Sequence, residues 1–93
     1  MPSVVATIRV KEDKIEESKQ FLRELAKTVL ENEPGTLIYQ FHQRTDEPAT
    51  FIAYEKYVDE EAFNLHGKNL AAHGAAFAGL MAGPPEIVTI EEI

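Results

Sequence analysis

Histidine is the side chain of this 93-residue chain with the widest chemical range, since cysteine is absent. The three histidines are His42, His66 and His73. Because each helical residue advances about 100°, His66, Asn69 and His73 would share one side of a continuous helix. An imidazole at an apolar edge can act as a general base, since its unperturbed pKa is about 6.5. Alternatively, both helical histidines are half-exposed and bond only to water or backbone.

Glu55 is a carboxylate on a predicted strand face that otherwise carries Phe51 and Tyr57. Buried there, it would have a raised pKa and could orient a histidine or accept a proton. A structural hydrogen bond, or an intersubunit ion pair with Arg9 or Lys56, is the other interpretation. Aromatic residues could line a flat apolar pocket nearby, although strand aromatics are more often core residues; they include Tyr39, Tyr57 and Phe77.

Several other kinds of site have little support in the sequence. Two histidines seven residues apart are not the i, i+4 pair of a helical zinc site, and we expect no metal and no cofactor. Ser3 and Ser18 lie outside any nucleophile elbow, and no Gly-rich phosphate loop occurs. The net charge of −7 repels nucleic acid and anionic membranes, and no apolar run could span a bilayer.

The length and composition predict one domain over residues 1–93. Hydrophobic residues make up 44% and charged residues 27% of the chain, as in ordinary folded soluble proteins. The first residues do not form a signal-peptide pattern, so we expect a cytoplasmic location.

The elements that position these side chains follow from the hydrophobic period. A period of two predicts strands over residues 3–11, 36–44, 50–58 and 87–90. In the second strand, Leu37, Tyr39 and Phe41 are predicted to share one face. Asp13 and Glu16 have the form of a capping box that begins a helix of about five turns, which a Pro-Gly pair ends.

Asp59 is the predicted N-cap of a second helix, which Gly67 and Gly74 should bend or break. The element order is therefore β-α-β-β-α-β, the split βαβ arrangement of an α+β ferredoxin-like fold. It predicts a four-stranded antiparallel sheet with helices on one face. Since the second face also carries large apolar residues, we expect a homodimer whose two sheets face each other.

Residues 33–66 contain a recognisable pattern. It comprises Glu33-Pro34-Gly35 before a strand, Tyr39, Asp46-Glu47-Pro48 in a turn, the E-x-[WY] signature Glu55-Lys56-Tyr57, and then Asp59, Ala62 and His66. This pattern resembles the antibiotic biosynthesis monooxygenase (ABM) family of dimeric α+β-barrel proteins. The resemblance extends in order and spacing over nearly the whole chain, through Ala82–Glu86.

That family includes cofactor-free oxygenases of quinols and polycyclic phenols. The resemblance implies a cofactor-independent monooxygenase that uses O₂ on such a ligand, with His66 as the base and Glu55 orienting it. The implied ligand-binding residues are Tyr57, Asn69, His73, Tyr39 and Phe77. His73 follows His66 by seven residues, whereas the second family histidine usually follows after about five. Haem-degrading members use a tryptophan that this chain lacks.

Two further functions remain open. One is a non-catalytic dimeric ligand-binding or stress-response protein that uses the same pocket. The other is an isomerase of a small phosphorylated metabolite, which would require a cationic phosphate clamp. Arg9, Arg44 and Lys68 are the candidates for such a clamp.

Overall fold

Four strands and three helices form the fold in the computed structural model, which describes residues 1–93. They are β1 (Pro2–Arg9), α1 (Ile15–Asn32), β2 (Thr36–Gln43), β3 (Thr50–Tyr57), α2 (Glu60–Ala71), α3 (Gly74–Leu80) and β4 (Glu86–Glu91). All strand pairs are antiparallel, in the order β2-β3-β1-β4. This arrangement confirms the predicted α+β ferredoxin-like split βαβ fold.

The core lies between the sheet and α1. The buried stripe of α1 includes Leu22, Leu25 and Val29, at the helical spacing that the sequence predicted. Leu22 packs with Ile8, Val10 and Phe51 of the sheet side, whereas Leu25 and Val29 pack on Tyr39; the partly buried Phe21, Phe41 and Phe77 border these clusters. The side of the sheet that carries the candidate site is therefore the helix-covered one.

The start of α1 differs from the prediction. Residues Glu12–Lys14 form a short 3-10 turn, in which the Lys14 amide donates to the carbonyl of Lys11. The α-helix begins only at Ile15 and has no side-chain cap. The capping-box prediction for Asp13 was wrong because Asp13 lies inside the 3-10 turn, so that Lys14 is the residue before the helix.

Strand β2 contains a β-bulge that the alternation pattern did not predict. Thr36 pairs with Tyr57 and Ile38 pairs with Lys56, so Leu37 is the extra residue between two adjacent pairs. Leu37 is exposed, whereas Tyr39 is buried. The prediction that Leu37 shares the buried face was therefore wrong, and the bulge restores Tyr39 to the covered side.

The second helical segment is broken, as predicted. Asp59 caps α2 by accepting a hydrogen bond from the Ala62 amide at 2.8 Å, which confirms its assignment. Gly67 remains inside α2, and the break falls at Ala72 and His73, just before Gly74 begins α3. His73 therefore belongs to the break rather than to a continuous helix with His66.

The face of the sheet opposite the helices is uncovered. We call it the outer face and define it by Val5, Ile38, Ile52, Tyr54, Val88 and Ile90. Val88 is 47% and Ile90 is 43% exposed, while the other four are half-buried. Burial of this face in a homodimer stays a prediction. None of the helices has the length and apolar character required to cross a membrane, and the cytoplasmic location also stays a prediction.

Gly35 lies where β2 begins and the chain passes under the first turn of α2. A Cβ atom at Gly35 would lie 2.5 Å from the Cβ of Ala62 and 3.3 Å from Cγ1 of Val58. The Gly35 carbonyl also accepts a hydrogen bond from the Val58 amide at 2.9 Å. This close approach fixes the distance between α2 and the turn that follows α1.

The variant Gly35→Ala should lose about 1–3 kcal/mol of unfolding free energy, because its methyl group overlaps that of Ala62. The matched variant Gly79→Ala should gain about 0.5–1 kcal/mol, because nothing lies within 4 Å of its Cβ and alanine favours α3. Urea unfolding measures both changes. Equal stability of the two variants would show that the close approach at Gly35 is unimportant.

Candidate functional site

His66 is the centre of a buried polar cluster beneath the helices. It is only 3% exposed, although the residues beside it on α2 are largely exposed. Its Nδ1 lies 3.0 Å from Oε1 of Glu33, which is 4% exposed. Since a carboxylate can only accept, this contact places the proton on Nδ1 and leaves Nε2 as an acceptor.

The turn between α1 and β2 holds Glu33 in this position. The Glu33 carbonyl accepts the amide of Thr36 at 3.0 Å, and the Thr36 hydroxyl donates to Oε1 of Glu33, also at 3.0 Å. Ala62, which contacts this turn at Gly35, lies one helical turn before His66. The close approach of α2 therefore brings His66 over the carboxylate.

Glu55 lies on the other side of the imidazole. Its Oε1 is 3.9 Å from Nε2 of His66, which exceeds hydrogen-bond distance. The same oxygen accepts a 2.5 Å hydrogen bond from the hydroxyl of Tyr57, which lies two residues along the same strand face. Burial raises the pKa of Glu55 above its usual range, an effect that the Tyr57 hydroxyl and His66 partly oppose. The sequence left open whether Glu55 is buried, and in the structure it is only 6% exposed.

Two tyrosines of the sheet pack against the ring of His66. The ring of Tyr39 meets the imidazole edge-on with centroids 4.9 Å apart, and the Tyr57 ring lies 5.4 Å away. Burial, followed by the nearby carboxylates, raises the pKa of both phenols. Both tyrosines therefore stay neutral and can serve as hydrogen-bond donors.

An apolar cavity of about 360 Å³ opens beside Glu55, between the sheet and helices α2 and α3. Nine of its twelve lining residues are hydrophobic, and Glu55 is its only charged one. The lining residues are Ala6, Ile8, Tyr39, Phe41, Glu55, Gly67, Leu70, Ala71, Phe77, Met81, Pro85 and Ile87. This volume falls within the range of about 300–1,000 Å³ that is usual for small-molecule pockets.

The structure separates the predicted site residues into three groups. Glu55, Tyr39 and Phe77 line the cavity. His66 does not line it but lies behind Glu55, and Tyr57 lies beside both. The expectation of an imidazole at the cavity rim was therefore wrong.

Asn69 and His73 line a different cleft, of about 250 Å³, between α1 and α2. Asn69 is exposed, and the ring of His73 lies 6.4 Å from that of Phe21. The common side predicted for His66, Asn69 and His73 does not extend to His73, because α2 ends at Ala71. The cavity therefore has no contact with either residue.

Glu33 is the member of the cluster that sequence reasoning did not identify as a site residue. One signal was present: a carboxylate at a helix C-terminus opposes the helix dipole and requires other partners there. Glu33 immediately follows α1, and its partners are Thr36 and His66. Nowhere in the chain is a group of three or more His, Asp or Glu side chains arranged to hold a metal ion.

The sequence profile described as "Antibiotic biosynthesis monooxygenase" matches residues 1–78. The chain belongs to that family. The match extends from β1 into α3 and includes every member of the buried polar cluster. Membership in the antibiotic biosynthesis monooxygenase family supports a general monooxygenase-like function.

Solved structures agree with this family. A provisionally named antibiotic biosynthesis monooxygenase from Caulobacter crescentus is 34% identical, with a TM-score of 0.90 over 99% of this chain and 89% of that one. One with the same provisional name from Nitrosomonas europaea is 26% identical, with a TM-score of 0.88 over 100% and 99% of the two chains. A conserved protein from Methanosarcina mazei is 20% identical, with a TM-score of 0.85 over 99% and 92%, and shares the fold. No curated protein matches the chain.

The raised pKa of Glu55 predicts how the free energy of unfolding depends on pH. Above the usual Glu pKa of 4.5, the unfolded chain releases this proton while the folded chain still holds it. Stability should therefore fall as the pH rises from 4.5 to the raised pKa of Glu55. The variant Glu55→Gln should lack this loss, which urea unfolding at several pH values would measure.

The exposed Glu31→Gln variant is the matched control, and it should keep the pH dependence of the wild type. If Glu55→Gln and wild type follow parallel curves across this range, the carboxyl group at the cavity wall is not held protonated by burial.

Proposed function

We propose that this protein is a cofactor-independent monooxygenase that oxidises a quinol or polycyclic phenol with O₂. The observation that carries the proposal is the Glu55 carboxyl group at the wall of an otherwise apolar cavity, with His66 behind it. Such a cavity accepts a flat aromatic ring and provides a single proton-accepting group. Family membership supports the same class of reaction.

The geometry favours a division of roles between the two catalytic candidates. Glu55 is the group that faces the ligand, so it takes the phenolic proton. A carboxylate whose pKa is raised by burial is a stronger base than an ordinary glutamate, which favours this transfer. Nε2 of His66 lies 3.9 Å behind it and, as an acceptor, can take over the proton that Glu55 receives. Tyr39, a neutral phenol at the cavity wall, donates to negative charge that develops on oxygen.

The proposed reaction balances without a further reductant. Loss of a proton to Glu55 makes the quinol electron-rich enough to pass one electron to O₂, and the resulting radicals combine to form a carbon–oxygen bond. The peroxide takes a proton, and its O–O bond breaks as water leaves. One quinol and one O₂ give one hydroxyquinone and one water. The apolar lining of the cavity disfavours water next to the peroxide.

The two other candidate functions differ in their support. An isomerase of a phosphorylated metabolite requires a cation for the phosphate, but neither Lys nor Arg lines the cavity, and Glu55 would repel the phosphate. Arg44 is occupied by ion pairs with Asp46 and Glu47. A ligand-binding protein without turnover would use the same cavity, and the oxygen experiment below distinguishes it.

Oxygen consumption by metal-free, flavin-free protein with a panel of naphthoquinols and anthrols tests the proposal. Wild-type protein should consume one O₂ per quinol. The variants Glu55→Gln and His66→Ala should each lower turnover by at least ~100-fold, because they remove the base or its partner.

The variant His66→Gln provides a check on folding, since its amide can still donate to Glu33. Glu31→Gln, which removes one carboxylate from an exposed position, should retain the wild-type rate. Saturable binding of a panel compound without oxygen uptake would contradict the enzyme and favour the ligand-binding protein. An unchanged rate in folded Glu55→Gln would contradict the assigned base.

We propose as well that the protein is a homodimer that buries the outer face. This face presents Val88 and Ile90 together with half-buried Val5, Ile52 and Tyr54 on a four-stranded sheet. An apolar sheet face of this kind becomes stable in water when it packs against a second sheet.

Sedimentation of the wild type at micromolar concentration should give twice the chain mass of 10.4 kDa. Val88→Lys should shift the mass towards a single chain, because it places a charge on the outer face. Leu30→Lys is the matched control, since Leu30 on α1 is also 47% exposed, and it should sediment like the wild type. A wild-type mass of one chain would contradict the dimer.

A further inference from the structure

Glu33 contacts both the buried polar cluster and a second opening on the protein. Its carboxylate accepts from His66 on the inner side. The residue Glu33 also lines the cleft between α1 and α2, together with Asn32, Asn69 and His73. Asn32 and Asn69 are exposed, so this cleft is open to water.

The cavity and this cleft lie on opposite sides of His66. The cavity is lined by Glu55 and by none of the polar residues of the cleft, while the cleft is lined by Glu33 and not by Glu55. Leu70 is the one residue that lines both. His66 bridges the two openings, with Nδ1 towards Glu33 and Nε2 towards Glu55.

We propose that Glu33, His66 and Glu55 form a proton outlet from the apolar cavity to the cleft between α1 and α2. The outlet rests on the proposed function, because a proton must be taken from the ligand in the cavity. It explains why the protein keeps two carboxylates buried on either side of one imidazole, an arrangement that costs desolvation energy. Glu33 is then a positioning and relay residue that never touches the ligand.

Each transfer in the outlet conserves one proton. Glu55 takes the proton from the ligand hydroxyl and passes it to Nε2 of His66. This step requires the 3.9 Å separation to close by about 1 Å to hydrogen-bond distance. Nδ1 of His66 then releases its own proton to Glu33 over 3.0 Å, and Glu33 releases it to water in the cleft. Because the overall reaction releases no proton, the peroxide later takes one proton back along the same path, and this return restores the proton on Nδ1.

The groups that face His66 come from every element packed around it. Glu33 follows α1, Tyr39 belongs to β2, and Glu55 and Tyr57 belong to β3. Both tyrosines have raised pKa values and do not ionise near neutral pH. The two carboxylates are therefore the only groups that can exchange a proton with the imidazole.

Proton exchange at His66 tests the outlet without any substrate. The chain has three histidines, so ¹⁵N-histidine labelling gives three assignable rings in NMR spectra. The variant Glu33→Gln keeps an oxygen that accepts from Nδ1 and from Thr36, but an amide cannot take up the proton. Exchange of the Nδ1 proton with water should therefore slow by about 100-fold.

Two further variants on α2 block one opening each. Asn69→Phe covers the cleft and should slow the exchange, whereas Ala71→Phe fills the cavity and should leave it at the wild-type rate. Glu31→Gln is the charge control, and backbone amide exchange in α2 reports any local opening. If Glu33→Gln fails to fold, the comparison of Asn69→Phe with Ala71→Phe decides.

Unchanged Nδ1 exchange in folded Glu33→Gln, or in Asn69→Phe, would overturn the outlet. Slowing by Ala71→Phe alone would also overturn it, since the proton would then leave through the cavity. Absence of oxygen uptake contradicts only the proposed function, because the exchange measurement requires no turnover. In an active enzyme, Glu33→Gln should lower kcat and leave KM within about twofold, because it acts after ligand binding.

Discussion

The structure of the candidate site depends on the burial of two carboxylates on either side of one imidazole. A buried carboxylate is costly unless hydrogen bonds or a charged partner compensate for lost water. Glu33 obtains this compensation from Thr36 and His66, and Glu55 obtains it from Tyr57. The turn after α1, the first turn of α2 and the pairing of β2 with β3 must therefore all be in place before the cluster can exist.

Much of the fold could be predicted from sequence because local periodicity and capping determine it. The alternating strands, the apolar stripe of α1 and the Asp59 cap depend on neighbouring residues. The bulge at Leu37 and the 3-10 turn at Asp13 could not be read in this way, since competing backbone hydrogen bonds decide them. The pairing of Glu33 with His66, 33 residues apart, depends on how the helices pack on the sheet.

The sequence pattern identified Glu55 and His66 as site residues but did not predict correctly how they are arranged. Glu55 and His66 are close, as expected, but Glu55 faces the cavity, where His66 was expected, and His66 lies behind it. The reason is that His66 points from α2 towards the turn after α1, where Glu33 accepts its hydrogen bond, while Glu55 points from β3 into the opening. The assignment of Asn69 and His73 to the cavity assumed a continuous helix, whereas α2 ends at Ala71. In the proposed oxygenase, the carboxylate of Glu55 therefore contacts the ligand and the imidazole of His66 lies behind it.

Infrared difference spectroscopy of anaerobic ligand binding shows whether Glu55 accepts the proton of the ligand. When a naphthoquinol binds wild-type protein without O₂, a carboxyl band of Glu55 should change, and the ligand spectrum should shift towards its anion. Neither change should occur in Glu55→Gln, whose amide occupies the same position. A ligand that binds and ionises equally in both proteins, or that leaves the carboxyl band unaltered, would contradict the claim that Glu55 accepts the proton.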